Sequence, residues 1–229
     1  MTIPSLETML KAGMHFGHQT SRWHPKMKPY IHTKKNGIYI IDLVKTQKLL
    51  GEALEFINKI VLENKTILFV GTKSQVKNKL KELAIDIEMP YVHEKWLGGT
   101  LTNFSVIKKL IKKYKDLTEQ KKTGKLARYT KKEQLNFDRE IKKLEFKVGG
   151  LINLQKLPDV IFIWDLKKEV TAIKEAKLKN IPVIGVCDTN VNPDNVKYVI
   201  PSNDDAIKTI ELVFDTIKKT VLKVKKDKK

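Results

Sequence analysis

Apolar residues recur along this 229-residue chain with two different spacings. Short apolar runs of strand length occur at Ile38-Tyr39-Ile40-Ile41-Asp42-Leu43, Thr66-Ile67-Leu68-Phe69-Val70, Asp159-Val160-Ile161-Phe162-Ile163-Trp164-Asp165 and Ile181-Pro182-Val183-Ile184-Gly185-Val186-Cys187-Asp188. Two shorter ones follow the same reading, Tyr91-Val92-His93 and Lys197-Tyr198-Val199-Ile200. Between them the spacing turns helical. Leu49, Leu50, Ala53, Leu54, Ile57, Ile60 and Val61 fall on one face of a helix over 46–62. A second helix is expected from Ser74, a third from Ala172 to Leu178, and a last one carries Ile207, Ile210, Val213, Phe214 and Ile217. Asn203-Asp204-Asp205-Ala206 reads as the start of that last helix, with acids in its first turn. Strands alternating with helices predict an α/β fold, a Rossmann-like open parallel sheet flanked by helices.

The middle of the chain breaks this alternation. Ile107, Leu110, Tyr114 and Leu117 follow a 3-4-3 spacing, and Phe137, Ile141, Leu144, Val148 and Leu151 follow 4-3-4-3. A turn at Thr123-Gly124 separates the two seams, and Thr130-Lys131-Lys132-Glu133 is a capping box opening the second helix. The pattern predicts an inserted antiparallel coiled-coil helical hairpin that ends at Gly149-Gly150. Trp96-Leu97-Gly98-Gly99-Thr100-Leu101-Thr102-Asn103 leads into it and reads as a turn with Asn103 as helix cap. At the amino end, Ser5 caps a short helix stopped by Gly13, and two prolines and a glycine argue against a regular element through Ile31. The expected division is a basic arm (1–37), a discontinuous α/β body (38–103 and 151–216), a lysine-rich hairpin (104–150), and the end of the last helix with a disordered basic tail (217–229).

Charge follows the same division. The net formal charge is +19, and the arm, the hairpin and the tail carry +5, +9 and +6, whereas the body sums to −1. Basic appendages on a neutral body suit a polyanion, and a merely soluble lysine-rich surface would not segregate in this way. Only Arg22, Arg128 and Arg139 are arginines, so the positive surface suits phosphate contact better than bidentate base reading. Within the arm, His15, Phe16, Trp23 and Tyr30 alternate with cations, a combination that stacks on unpaired bases while neutralising phosphates.

Catalytic and cofactor chemistry finds little support. The turn Gly71-Thr72-Lys73-Ser74 lacks the preceding residues of a phosphate-binding loop, and no strand is followed by a dinucleotide-binding glycine motif. His15, His18, His24 and His32 have no finger-like spacing, and Cys187 is the sole thiol, so no metal is expected. Asp165 and Asp188 would sit at the carboxyl ends of strands, where open α/β sheets bind ligands. A Rossmann-type enzyme acting on RNA or a phosphorylated small molecule is therefore the alternative, with a protein-binding helical-hairpin adaptor as a third reading. One cysteine excludes an internal disulfide, no apolar run reaches the roughly 18 residues of a membrane span, and no secretory signal opens the chain. The expected compartment is the cytoplasm.

The motifs resemble one family along most of the chain. The Trp96–Asn103 octet, the box Gly13-Met14-His15-Phe16-Gly17-His18 with Trp23-His24-Pro25-Lys26-Met27, the Gly71-Thr72-Lys73 turn, Ile173-Lys174-Glu175-Ala176-Lys177, Asp188-Thr189-Asn190, Pro193-Asp194 and the stretch 200–207 all resemble the bacterial-type small ribosomal subunit protein two family. The resemblance implies a structural, non-catalytic ribosomal protein whose hairpin reaches ribosomal RNA, with Trp96 and Asn103 near the hairpin root. It further implies a place between the head and body of the small subunit, neighbouring ribosomal proteins as partners, and docking of the mRNA-binding ribosomal protein one. The basic end Lys225-Lys226-Asp227-Lys228-Lys229 departs from relatives that carry an acidic extension. The expected RNA-binding residues are His15, His18, Arg22, Trp23, Lys26, Lys28, Lys34 and Lys35 in the arm, with Lys73, Trp96 and Asn103 in the body. In the hairpin they are Lys108, Lys109, Lys112, Lys113, Lys131, Lys132, Lys142 and Lys143. No cofactor is expected.

Overall fold

A computed structural model describes residues 3–227. The chain opens with α1 (Leu6–Ala12), capped by Ser5, whose hydroxyl accepts from the Thr8 N–H, and closed by Gly13 at φ 80°. Then come β1 (Phe16–Gln19), β2 (Ile31–Lys35) and β3 (Ile38–Ile41), which form a three-stranded antiparallel sheet in the order β1-β3-β2. Two expectations are corrected here. The arm contains regular strands, and the run from Ile38 joins them and not the parallel sheet. The cause is local: Asn36 and Gly37 both take positive φ (49° and 76°), the geometry of a type I′ turn, and fold β2 back onto β3. The strand ends at Ile41 because Asp42 caps the next helix, its Oδ1 accepting from the Val44 and Lys45 N–H groups.

The body follows as α2 (Leu43–Leu62), β4 (Ile67–Val70), α3 (Lys77–Asp86) and β5 (Tyr91–Val92). Next come α4 (Phe104–Lys122) and α5 (Lys131–Val148). It resumes with β6 (Val160–Trp164), α6 (Val170–Leu178), β7 (Val183–Cys187), β8 (Tyr198–Pro201) and α7 (Ile207–Asp227). The five strands pair in parallel in the order β5-β4-β6-β7-β8. Both faces are covered, as an all-parallel sheet requires. Ile67, Phe69, Phe162 and Trp164 pack toward α2, α3 and α7, while Leu68, Val70, Ile161 and Ile163 pack toward α6 and the base of α4 and α5. None of the described helices is long and apolar enough to cross a membrane.

The arm is docked and not extended. Met9, Met14 and Met27 are all fully buried; the first two join the α2–α7 side, and Met27 joins the opposite one. Gly17 makes the seat: a Cβ there would lie 2.5 Å from Thr189 Cγ2 and 3.0 Å from the Tyr39 carbonyl oxygen. The tail is corrected as well. Val221 and Val224 continue the apolar stripe of α7 and are buried, so the helix runs through Asp227, while Lys228 and Lys229 lie outside the described residues. Two helix starts shift. The turn after Lys73 delays α3 to Lys77, and Asn203 Oδ1 caps the Asp205 and Ala206 N–H groups, which leaves both acids ahead of α7.

Helices α4 and α5 pack along each other through Leu117, Ile141 and Leu144, with Leu110, Tyr114 and Phe137 partly buried beside them. Thr130 and Glu133 form the expected capping box. Ile111, absent from the 3-4-3 seam, is buried at 6 % exposure because the base of α4 faces the body and not only α5. Gly150 anchors this base against β5, where a Cβ would lie 2.2 Å from the Tyr91 carbonyl oxygen.

Gly150→Ala is therefore expected to destabilise the chain by about 1–3 kcal/mol through overpacking. Gly98→Ala, with nothing within 4 Å of the new methyl, is expected to stay near neutral. Denaturant midpoints of the two purified variants check the contrast; equal midpoints would contradict the packing at Gly150.

Candidate nucleic-acid interface

The Trp96–Asn103 loop is built around a carboxylate from another element. Glu175 on α6 is 6 % exposed. Its Oε1 accepts from the Trp96 indole N–H (3.0 Å) and the Gly99 N–H (2.8 Å). Its Oε2 accepts from the Leu101 N–H (2.9 Å) and from both the N–H and hydroxyl of Thr102 (3.0 Å each). Gly99 stands at φ 90°, a torsion that lets the loop turn its N–H groups inward. Burial pushes the Glu175 carboxyl up, but the hydrogen bonds from Thr102, Trp96, Leu101 and Gly99 outweigh it and hold the group below the usual carboxylate range. The loop's tryptophan is thus an internal ligand of Glu175. Trp96 is 8 % exposed, which corrects its assignment to RNA. Asn103 is exposed at the mouth of α4, yet its Oδ1 accepts from the Ser105 hydroxyl and caps no backbone N–H.

The carboxyl edge of the parallel sheet holds a second polar centre. Its strand order changes direction between β4 and β6, the crevice where open α/β sheets take ligands. Here the chain fills that crevice itself. Lys73 reaches Asp205 (2.7 Å), Asp204 (2.8 Å) and Asp165 (3.7 Å). Burial works against its charge, but Asp204 and Asp205 outweigh it and raise its pKa. The Thr72 hydroxyl donates to the buried Glu169, and the Lys168 ammonium donates to the Thr72 carbonyl. Lys73, expected as an RNA contact, is held in this structure by three carboxylates that sequence distance hides. Burial and the neighbouring Asp188 push Asp204 up to about 6.

Asp188 is likewise engaged. Its Oδ1 accepts from the N–H and hydroxyl of Thr189, and His18 Nδ1 lies 3.1 Å away. The hydrogen bond to Asp188 raises the pKa of His18, whose Nε2 meets the Asn190 amide at 3.0 Å. His18 thereby fastens β1 to the end of β7, together with the His18 N–H donating to Thr189 Oγ1. His18, Asp188 and Asp204 bring three donor atoms within 4.8 Å of one another, the group among the described residues with the geometry to hold a metal ion. Spacing along the chain missed it because each donor comes from a different segment. Neither Asp165 nor Asp188 presents a free carboxylate to a substrate, so no observation favours the enzyme alternative.

Outside these centres the expected cations face solvent. Arg22, Lys28, Lys34 and Lys35 are exposed and hold no ion pair among the described residues, whereas Lys26 pairs with Asp194. Trp23 is half-buried with its ring 4.9 Å from Tyr39, and burial lowers the pKa of the half-buried His15. On α4 and α5, Lys108, Lys109, Lys112, Lys131, Lys132, Lys142 and Lys143 are all exposed without ion pairs among the described residues. Lys113 and Lys121 instead bridge the two helices to Glu140 and Asp138. Lysines thus fall into two kinds, those tying the fold together and those left exposed and unpaired among the described residues.

An α/β body with buried acidic centres and an unpaired lysine surface defines a class of structural protein for a charged partner, and the comparisons make it specific. Residues 9–224 match the profile of the family described as Ribosomal protein S2. The chain is also similar to the small ribosomal subunit protein uS2 of Coprothermobacter proteolyticus, with 47 % identity over 222 residues, covering 97 % of this chain and 83 % of that protein. The chain belongs to the ribosomal protein S2 family. Membership makes it a structural constituent of the small ribosomal subunit.

Glu175→Gln is expected to destabilise the chain by roughly 2–4 kcal/mol, since an amide N–H would face N–H donors and the charge-assisted bonds would be lost. The Glu175 carboxyl is depressed in the folded chain, so its contribution is complete above the unfolded value of about 4.3 and disappears as pH falls through the lower folded value. Denaturation midpoints of wild type and variant should therefore converge in acid. A difference as large at pH 3 as at pH 7 would sink this account.

Proposed function

We propose that the chain binds ribosomal RNA through the exposed cations of the docked arm and of α4 and α5, and that these two helices act as a coiled-coil hairpin reaching from the body into RNA. The observation that carries this reading is the run of unpaired, exposed lysines on α4 and α5, the seven expected ones together with Lys115 and Lys122 among the described residues, beside a sheet edge whose Lys73 is held by the chain's own carboxylates. The inter-helix packing of Leu117, Ile141 and Leu144, with the Lys113–Glu140 and Lys121–Asp138 bridges, supports the hairpin. Lysine ammonium groups contact phosphates as point charges, so the contact follows RNA shape and not base sequence. The RNA-facing set retains Arg22, Lys28, Lys34, Lys35 and the seven hairpin lysines. His15, Trp23, Lys26, Asn103 and Lys113 flank it, and His18 acts mainly as the arm's fastening. Neighbouring small-subunit proteins, the mRNA-binding ribosomal protein one among them, complete the partners of this cytoplasmic, non-catalytic role.

Sucrose-gradient fractionation of a lysate tests the reading. The chain should co-migrate stoichiometrically with the small subunit and leave it after ribonuclease treatment; recovery only in the soluble fraction would overturn it. Lys142→Glu with Lys143→Glu should weaken RNA binding without moving the denaturation midpoint, because both side chains are exposed. The slope of log affinity against log salt should fall by roughly 0.7–0.9 for each phosphate contact removed.

A further inference from the structure

A cleft of about 410 Å³ opens between α6 and the loop that follows β7. Its floor is apolar, formed by Leu166, Ile173 and Val191. One wall is cationic: Lys167 before α6, then Lys174 and Lys177 on it, are exposed and carry no ion pair among the described residues. The other wall presents the amides of Asn192 and Asn195, with Asn190 behind them, its amide already at His18 Nε2. Asn192 Oδ1 accepts from the Asp194 N–H, and neither the Asn192 amide N–H donors nor the Asn195 side chain has a hydrogen bond among the described residues. Asp194, the acid nearest to these groups in the loop, is neutralised by Lys26. The other lysines of the sheet's carboxyl edge, Lys73 and Lys168, are already bound by the chain's own acceptors. These three are not.

An unpaired RNA base needs an apolar surface for its ring, amide or backbone groups for its edge, and a cation for its phosphate. The cleft supplies all three within one nucleotide's reach. An acidic protein segment could use the same lysines and floor, but side-chain amides beside a flat apolar floor match the edge and face of a base. We propose that this cleft holds one unstacked nucleotide of ribosomal RNA, with its base on the Leu166–Ile173–Val191 floor and its phosphate against Lys174 and Lys177. Asn side chains match the donor and acceptor pair of adenine, so adenosine is the expected occupant. The proposal rests on the RNA-binding reading and adds to it a base-recognising site on the body, separate from the phosphate contacts of α4 and α5.

The test is base-specific chemical probing of small subunits assembled with the wild-type chain, with Asn192→Asp/Asn195→Ala, or with Lys174→Gln/Lys177→Gln. The first variant keeps the Asn192 acceptor that caps Asp194, and the second alters exposed positions only, so both should fold. Wild type should protect one unpaired adenosine. Both variants should lose that protection, to the level of subunits lacking the chain, while backbone protections from α4 and α5 persist. Identical base reactivity across all three chains with the backbone protections intact overturns the cleft and leaves the RNA-binding reading standing. Loss of a neighbouring protein from variant subunits, without a base change, overturns it in favour of an acidic protein occupant. Absence of any RNA protection by the wild-type chain removes both.

Discussion

A carboxylate taken out of water is stable only if its lone pairs are met by donors, and Glu175 shows what this demands of a chain. Five donors from Trp96, Gly99, Leu101 and Thr102 converge on it. That convergence fixes the path of the loop from which α4 departs. With Gly150 pressed on the Tyr91 backbone, both ends of the α4–α5 pair are held against the parallel sheet. Lysines along two projecting helices can hold a fixed position toward a charged partner only if the near end does not swivel. The buried acid thus conditions the work of exposed bases that it never touches.

The same division recurs at the sheet's carboxyl edge. Lys73 is held among Asp165, Asp204 and Asp205, and Glu169 fills the adjoining crevice through Thr72. A fold class that elsewhere leaves a ligand site at this point has here been closed with ion pairs and used as a seat for the arm through His18 and Thr189. Asp165, Glu169, Glu175, Asp188 and Asp204 are buried, and Asp138 and Glu140 bridge α4 and α5, so these acids serve the fold. For a chain of net charge +19, that arrangement separates what holds the protein together from what attaches it.

Local patterns in the sequence were sufficient for the strands of the parallel sheet and for most helices, but not for β1 and β2 of the arm. The strands around Phe69, Phe162 and Val186, the capping box at Thr130, and the helix stripes all appear where spacing predicts them. Failures came from two sources. One was turn chemistry left unread: Asn36-Gly37 is a strong hairpin signal, and it reassigns Ile38–Ile41 to a separate sheet. The other was distance along the chain. Nothing near Lys73 announces Asp204 and Asp205, 131 residues away in the first case, and nothing near Trp96 announces Glu175. Glu175 lay inside a stretch noted only for its resemblance. A buried-looking acid on the apolar side of a short helix, between Ala172, Ile173 and Ala176, was the available clue that it had a structural duty. The exposure of the lysines on α4 and α5, which depends on no tertiary partner, was the most legible feature of the candidate site.

The docking of β1 has a temporal side. His18 and Gly17 find their seat at Thr189, 171 residues downstream of His18, and α1 packs on α7 beyond that. At typical synthesis rates of about 5–20 residues per second, roughly 10–40 s separate the emergence of the arm from that of its partner. For that interval the arm has β3 and α2 to pack on but lacks its seats on Thr189 and α7, and the central strands still lack β7 and β8. Closing the fold is therefore a late, long-range event, and loop-closure entropy makes it a slow one. His18 can reach Asp188 only after most of the chain has emerged, so the last docking of the arm belongs to the end of folding.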